Sequence, residues 1–276
     1  MKNRFTKILA GGLGAAAFLS FACAVQAGSD EEKMAEIKQN GGCPKCDLRL
    51  TELRYLNVEN PDFNRTNLRE TDLKEAVLTG GDFRNSDLRR AEAERANFAG
   101  GNFTGSNMRS ADLEKADFTD ANLSGVDLRD ADLNASIANG AVFDNADLRN
   151  AAFIRSVAVG ASFESAKMDG VNLERVALSG ANFKNARIRQ GKLDRIKADG
   201  ADFSGADFSG VRLVSADLTN ANLTNVDFDG ALLRRTRLVG ADLTGADNLD
   251  PSRILGACGD ETTKLPKGIE LIACSY

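Results

Sequence analysis

Ala116-Asp117-Phe118-Thr119-Asp120-Ala121-Asn122-Leu123-Ser124-Gly125-Val126-Asp127-Leu128-Arg129-Asp130 is three turns of one five-residue phrase. The phrase is Ala-Asp/Asn-Leu/Phe-x-x, and it extends in one frame far in both directions. Every fifth position from Leu48 to Leu243 is apolar, forty in all. Thirty-six are Leu, Phe, Met, Ile or Val, and four are Ala (Ala93, Ala138, Ala158, Ala198). All twelve Phe beyond residue 27 fall on this position, where chance would put one in five. Two residues earlier the side chain is generally small, Ala in half of the repeats and Ser, Thr, Gly or Val in most of the others. Inward residues two apart share one face of an extended strand, because alternate side chains point the same way. The remaining two residues turn a corner. A period of five suits neither an α-helix nor a heptad, so the expectation is an all-β parallel solenoid.

A twenty-residue period lies over the five-residue one. Phe63, Phe83, Phe103, Phe143, Phe163, Phe183 and Phe203 form one series, interrupted by Leu123. Gly80, Gly100, Gly140, Gly160, Gly180, Gly200 and Gly240 form another and mark one corner, where a turn needs positive φ. Twenty residues per coil is four repeats per coil. Forty repeats then make ten coils, a rod of roughly 48 Å at β-ladder spacing.

Phrases such as Ala116-Asp117-Phe118 and Ala201-Asp202-Phe203-Ser204-Gly205 resemble the pentapeptide-repeat family, and the resemblance covers about 200 of the 276 residues. It implies a right-handed, quadrilateral β-helix with four repeats per coil, and the residues flanking the repeats read as short helical caps. The expected organisation is a signal peptide at 1–27, a capping helix with a Cys-Pro-Lys-Cys clip at 28–47, the repeat solenoid at 48–247 and a C-terminal cap with a disulfide loop at 248–276. Ser29 is the N-cap of a helix to about Gln39, stopped at Asn40-Gly41-Gly42, and Asp250-Pro251 opens a short helix through Ile254 and Leu255.

Residues 1–27 have the composition of a cleavable export signal. Lys2, Arg4 and Lys7 precede the apolar Ile8–Val25, and Val25-Gln26-Ala27 resembles a peptidase site. A lipid anchor would use Cys23, but Ser20-Phe21-Ala22 matches a lipobox poorly. Removing the three cations leaves 32 basic against 40 acidic residues, a net charge of −8. A mildly acidic exported chain, periplasmic or secreted, is not a general nucleic-acid binder, and no later stretch is apolar enough to span a bilayer. Four cysteines remain: Cys43, Cys46, Cys258 and Cys274. An even number in an oxidising compartment reads as disulfides, with a redox or metal role for Cys43-Cys46 as the alternatives. Both cysteine segments look similar to flanks of exported family members.

With no His and no Trp, Ser/Cys–His nucleophilic pairs and His metal sites are excluded. The carboxylates are repeat-consensus residues on flat faces. No catalytic residue, metal ligand or cofactor site is assigned, and the chain is not expected to be an enzyme. Two surface features are candidates for interaction. Arg49, Arg69, Arg89, Arg109, Arg129 and Arg149 recur every twenty residues on the outward side of one face, opposite Asp47, Asn67, Asp87, Asn107, Asp127 and Asp147. This is either a solvated ion-pair ladder or a track for an anionic envelope glycan. Ile137 and Val157, flanked by Val159, form an apolar patch where Asp or Asn is usual, either by ordinary strand propensity or as a contact face for a protein partner or a second copy in a homodimer. The leading function is a non-catalytic scaffold of the cell envelope, a rigid rod with striped faces, and the alternative is a glycan-binding module. The resemblance implies a third, because some family members mimic B-form DNA and bind type II topoisomerases. The export signal and the arginine stripe depart from that pattern.

Overall fold

A computed structural model describes residues 29–274; the expected signal peptide and Cys23 lie outside the described residues. Parallel β-bridges join residues twenty apart without interruption, from Gly42–Asp62 to Asp227–Asp247. Each bridge falls on the residue between the small and the large inward position. The inward residues of the repeats are buried, Val58 only partly, with the large ones meeting at the axis and Ala filling half of the small positions. Phe143, Phe163, Phe183 and Phe203 stack with ring centroids 4.7–4.8 Å apart. Phe63, Phe83 and Phe103 form a second stack at 5.3 and 4.6 Å. Stacked rings at coil spacing satisfy both the β-ladder and offset aromatic packing.

The backbone accounting explains the consensus. Take the repeat around Phe118. Asp117 N donates to Ala96 O one coil back (2.9 Å), while Phe118 N and Asp120 N donate to Ile137 O and Asn139 O one coil on (2.7 and 2.9 Å). Ala121 N closes the corner on Phe118 O (3.0 Å). Only Thr119 N has no main-chain acceptor, and it donates to Asp117 Oδ1 (2.8 Å). Buried and half-buried amides need partners, so the Asp/Asn of the phrase is an Asx-turn acceptor. Asn102 with Thr104, Asn122 with Ser124 and Asp202 with Ser204 repeat the arrangement.

The last residue of nearly every repeat is left-handed, and glycine is in the minority. Leu50, Tyr55, Asn85, Arg95 and Arg155 have φ of 56–61°, beside 65–68° at Gly80, Gly100 and Gly160. The glycine series therefore does not distinguish one corner by conformation. All four corners demand positive φ, and the ladder bond from each of these amides holds non-glycine residues there against a cost of about 1–2 kcal/mol.

At the N-terminal end, α1 (Asp30–Asn40) starts on a capping box between Ser29 and Glu32 and ends at Gly41 with φ 69°. It buries Ile37 against the first coil, with Met34 partly buried beside it. Asp30 Oδ2 accepts Glu52 N (3.0 Å), which occupies an edge amide that no preceding coil can serve. That bond holds the Asp30 carboxyl below the usual range. Cys43 and Cys46, joined with Cα atoms 5.6 Å apart, lie inside the ladder: Cys43 takes a large inward position, Cys46 the next small one, and Lys45 the left-handed corner (φ 62°). The clip is thus itself a repeat.

At the other end, Pro251–Arg253 is one 3₁₀ turn with Asp250 as N-cap. The expected helix through Leu255 does not form, because Arg253 O and Leu255 O are taken as ladder acceptors by Leu233 N and Arg235 N. The tail then adds to the last coil through bridges Arg237–Cys258 and Asp242–Lys264. The short strands β1 (Cys258–Gly259) and β2 (Ile272–Ala273) pair in parallel, braced by the Cys258–Cys274 disulfide.

Candidate interaction surfaces

The arginine series stands on a corner rather than on a face. Each member is the first corner residue, two beyond the bridge residue. Where that bridge residue is Asp, the guanidinium folds back as a fork onto it. Arg89 gives Nε and Nη2 to Asp87 (2.8 and 2.5 Å), Arg129 does the same to Asp127 (2.8 and 2.6 Å), and Arg49 and Arg149 follow. The hydrogen bonds from Arg129 hold the Asp127 carboxyl below its ordinary range, and Arg49 does so for Asp47. Asn67 and Asn107 break this pattern. Arg69 turns to Glu70 (3.1 Å) and Arg109 reaches Asp130 through one long contact (3.3 Å). A concavity of about 340 Å³ opens there, lined by Arg69, Arg89, Arg90, Arg109 and Arg129 with Asn107 and Ser110.

The apolar patch lies on a different face. Ile137, Val157 and Ala177 are consecutive bridge residues one coil apart, and Ile137, Val157 and Val159 are 40%, 37% and 43% exposed. Beside them the second corner position carries Gly140, Gly160 and Gly180, so only the first corner residue of each coil has a side chain at that edge. Replacing Asx by Val157 should orphan the Val159 amide. Instead, Asn139 Oδ1 on the preceding corner accepts it (3.0 Å). The same substitution recurs at three other places where Asn or Asp stands at the first corner position one coil before a missing Asx, whereas Asp169 in that position pairs with the Arg187 guanidinium instead. Asn134 serves Ile154 N beyond Ala152, Asp144 serves Glu164 N beyond Ser162, and Asp194 serves Val214 N beyond Arg212. Single-repeat periodicity hides these pairs, because donor and acceptor are twenty residues apart; a search at that offset would find them.

Among the described residues no group of His, Cys, Asp and Glu is placed to hold a metal ion, and no helix is long and apolar enough to cross a membrane. A further concavity of about 600 Å³ lies between the Asp260–Thr263 loop and the tail, lined partly by Leu265, Leu271 and Ile272.

Among curated proteins no sequence matches the chain. Among solved structures, HetL, a pentapeptide repeat protein involved in heterocyst differentiation regulation from the cyanobacterium Nostoc sp. strain PCC 7120, is 26% identical, with 79% of this chain and 92% of that one covered and a TM-score of 0.34. The plasmid-mediated fluoroquinolone resistance protein QnrB1, trypsin-treated, is 15% identical over 80% of this chain and 92% of its own, with a TM-score of 0.38. The family profiles described as "Pentapeptide repeats" match residues 63–107, 94–130, 127–156, 159–195, 192–225 and 212–247. With more than half its length matched, and with the inward, Asx and corner positions of each phrase accounted for above, this chain belongs to the pentapeptide-repeat family, whose fold is a right-handed β-helix solenoid.

Proposed function

We propose that the protein is a non-catalytic interaction scaffold of the cell envelope, a rod whose flat faces differ in chemistry and which meets a protein partner through the face bearing Ile137 and Val157. The observation that carries this is the compensated apolar patch. Exposed β-branched residues stand where the phrase supplies Asx, and Asn139 restores the hydrogen bond that Val157 removes. The strip is edged on one side by Gly140, Gly160 and Gly180 and on the other by Arg155 and Arg175, and a low glycine edge beside exposed apolar side chains suits a partner surface. Elsewhere the outward Asp and Asn side chains serve backbone amides or arginines, which leaves them poorly placed for acid–base work. Members of this family are in general structural or interaction proteins, which fits. The apolar stretch before Ala27 and the two disulfides are what support an exported location. Both ends are read as caps, with α1 and Asp30 over the first coil and the braced tail over the last.

The test is site-specific photo-crosslinking in the source cells, with a benzophenone side chain at position 157 and, on other faces, at 107 and 222. One adduct confined to position 157, in the periplasmic fraction, is expected. Equal adducts at all three positions, none at 157, or a cytoplasmic protein would overturn the reading. A second copy as the partner would appear as a crosslinked dimer, lost when Ile137→Lys is added beside the crosslinker.

A further inference from the structure

We propose that the arginine-lined notch around Ser110 binds an acidic polysaccharide, a linear glycan bearing carboxylate groups. The notch has a structural origin. The second corner residues of this series run Glu70, Arg90, Ser110, Asp130. A serine between three long or charged side chains leaves a gap one coil deep, with Arg90 on one side and Asp130 on the other. Into it face guanidiniums that are incompletely engaged. Arg90 touches Glu70 only at 3.4 Å and Arg109 touches Asp130 only at 3.3 Å. By contrast the forks of Arg89 and Arg129 are short and two-pronged. For Arg109 the difference traces to Asn107. An amide there still serves the corner backbone, with Asn107 Oδ1 accepting Arg109 N (3.1 Å), but it supplies no charge to satisfy the arginine. Planar guanidinium pairs well with carboxylate in a bidentate geometry, and this chain makes that pairing with its own aspartates.

The mixture of groups selects the polymer. A phosphate chain offers acceptors alone and would meet Glu70 and Asp130 as like charges. A uronate glycan offers carboxylates for the arginines and hydroxyl donors for those two acids, while Asn107 and Ser110 exchange hydrogen bonds with hydroxyls in either sense. Along the rod the guanidiniums recur at the coil spacing of about 4.8 Å, close to the length of one sugar unit, so a straight glycan keeps register over several coils. The proposal rests on reading the rod as a binding surface, but it concerns a different corner from the protein-contact face, so crosslinking at 157 and glycan binding at 109 succeed or fail separately.

The experiment is calorimetric titration of the mature protein with oligogalacturonate of about ten units, at two salt concentrations. Inorganic polyphosphate of matched charge and a neutral dextran oligomer serve as comparison ligands. Binding of oligogalacturonate that weakens with salt is expected, falling at least tenfold in Arg109→Gln and in Arg90→Gln. It should stay within twofold in Arg195→Gln on another corner, and dextran should not bind. Unchanged melting temperatures check that the variants fold, since each loses one long contact. Tighter binding of polyphosphate than of oligogalacturonate overturns the glycan assignment. Equal affinity of Arg109→Gln and parent overturns the site, and no binding of any polyanion overturns both.

Discussion

Removing the Asn139 side chain should destabilise the coil that follows it, and only for as long as residue 157 cannot serve its own corner. In the parent, Asn139 Oδ1 is the acceptor of the Val159 amide at 3.0 Å. Asn139→Ala leaves that amide to water. Val159 is 43% exposed, so water reaches the site in part, and the net loss is that of one ordinary hydrogen bond, about 1 kcal/mol. Val157→Asn restores the acceptor within the repeat, as Asp117 provides it for Thr119 at 2.8 Å. In the Val157→Asn background Asn139→Ala should then cost close to nothing, a coupling of about 1 kcal/mol between residues nearly a coil apart. Protection of the Val159 amide by NMR hydrogen exchange reads this locally, which matters because a solenoid need not unfold in one step. Protection at 159 should fall roughly fivefold in Asn139→Ala and recover in the double variant. Equal losses in both backgrounds would refute the exchange of acceptors, and with it the claim that the consensus Asx is there for the backbone.

Phe163 stacks on Phe143 and Phe183 at 4.8 and 4.7 Å. Phe163→Ala should cost about 3–5 kcal/mol and Phe163→Leu much less, since Leu123 occupies the same series without breaking the bridges; urea unfolding measures both. Ser136 Oγ is buried without a partner, whereas Ser156 Oγ donates to Leu133 O at 2.8 Å. Ser136→Ala should therefore stabilise, and Ser156→Ala destabilise, each by about 1 kcal/mol in the same assay. Gly160 has φ 66° and open space where a Cβ would stand. Gly160→Ala should cost about 1–2 kcal/mol through conformation alone, and Gly160→Asn less, a rank order that thermal melts resolve. The C-terminal brace should open in acid. Asp242 is held down to about 2 by Lys264 and Thr244, and Asp260 to about 2 by Thr262 and the surrounding amides. Both values are depressed, so this stabilisation is complete above the ordinary carboxylate value of 3.8 and lost as pH falls through about 2. Pepsin should cut near Leu265–Leu271 at pH 2 and spare that segment at pH 4, while the repeats resist at both.

Much was legible before any coordinates, and for a physical reason. In a solenoid every contact is between a residue and its counterpart one coil away, so the tertiary structure is written as sequence period. The five-residue spacing of Leu, Phe and Ala determined which side chains face the axis. The twenty-residue Phe series determined which rings stack, and Ser29, Glu32 and Gly41 marked the ends of α1. Three things were decided only in three dimensions. The left-handed corners belong to Leu50, Tyr55 and Arg155 as much as to glycine, because the inter-coil bond, not the residue's preference, sets φ. The helix expected after Pro251 yields to the ladder, which claims its carbonyls for Leu233 and Arg235. The arginine series, even in spacing, divides according to whether Asp or Asn stands two residues before: the members after Asp fork onto it, while Arg69 turns to Glu70 and Arg109 keeps one long contact to Asp130, and the notch exists because Ser110 is short where the stacked Arg90 is long. Period tells which residues meet; what they do on meeting depends on distances of a few tenths of an ångström between coils, and those only the folded chain determines.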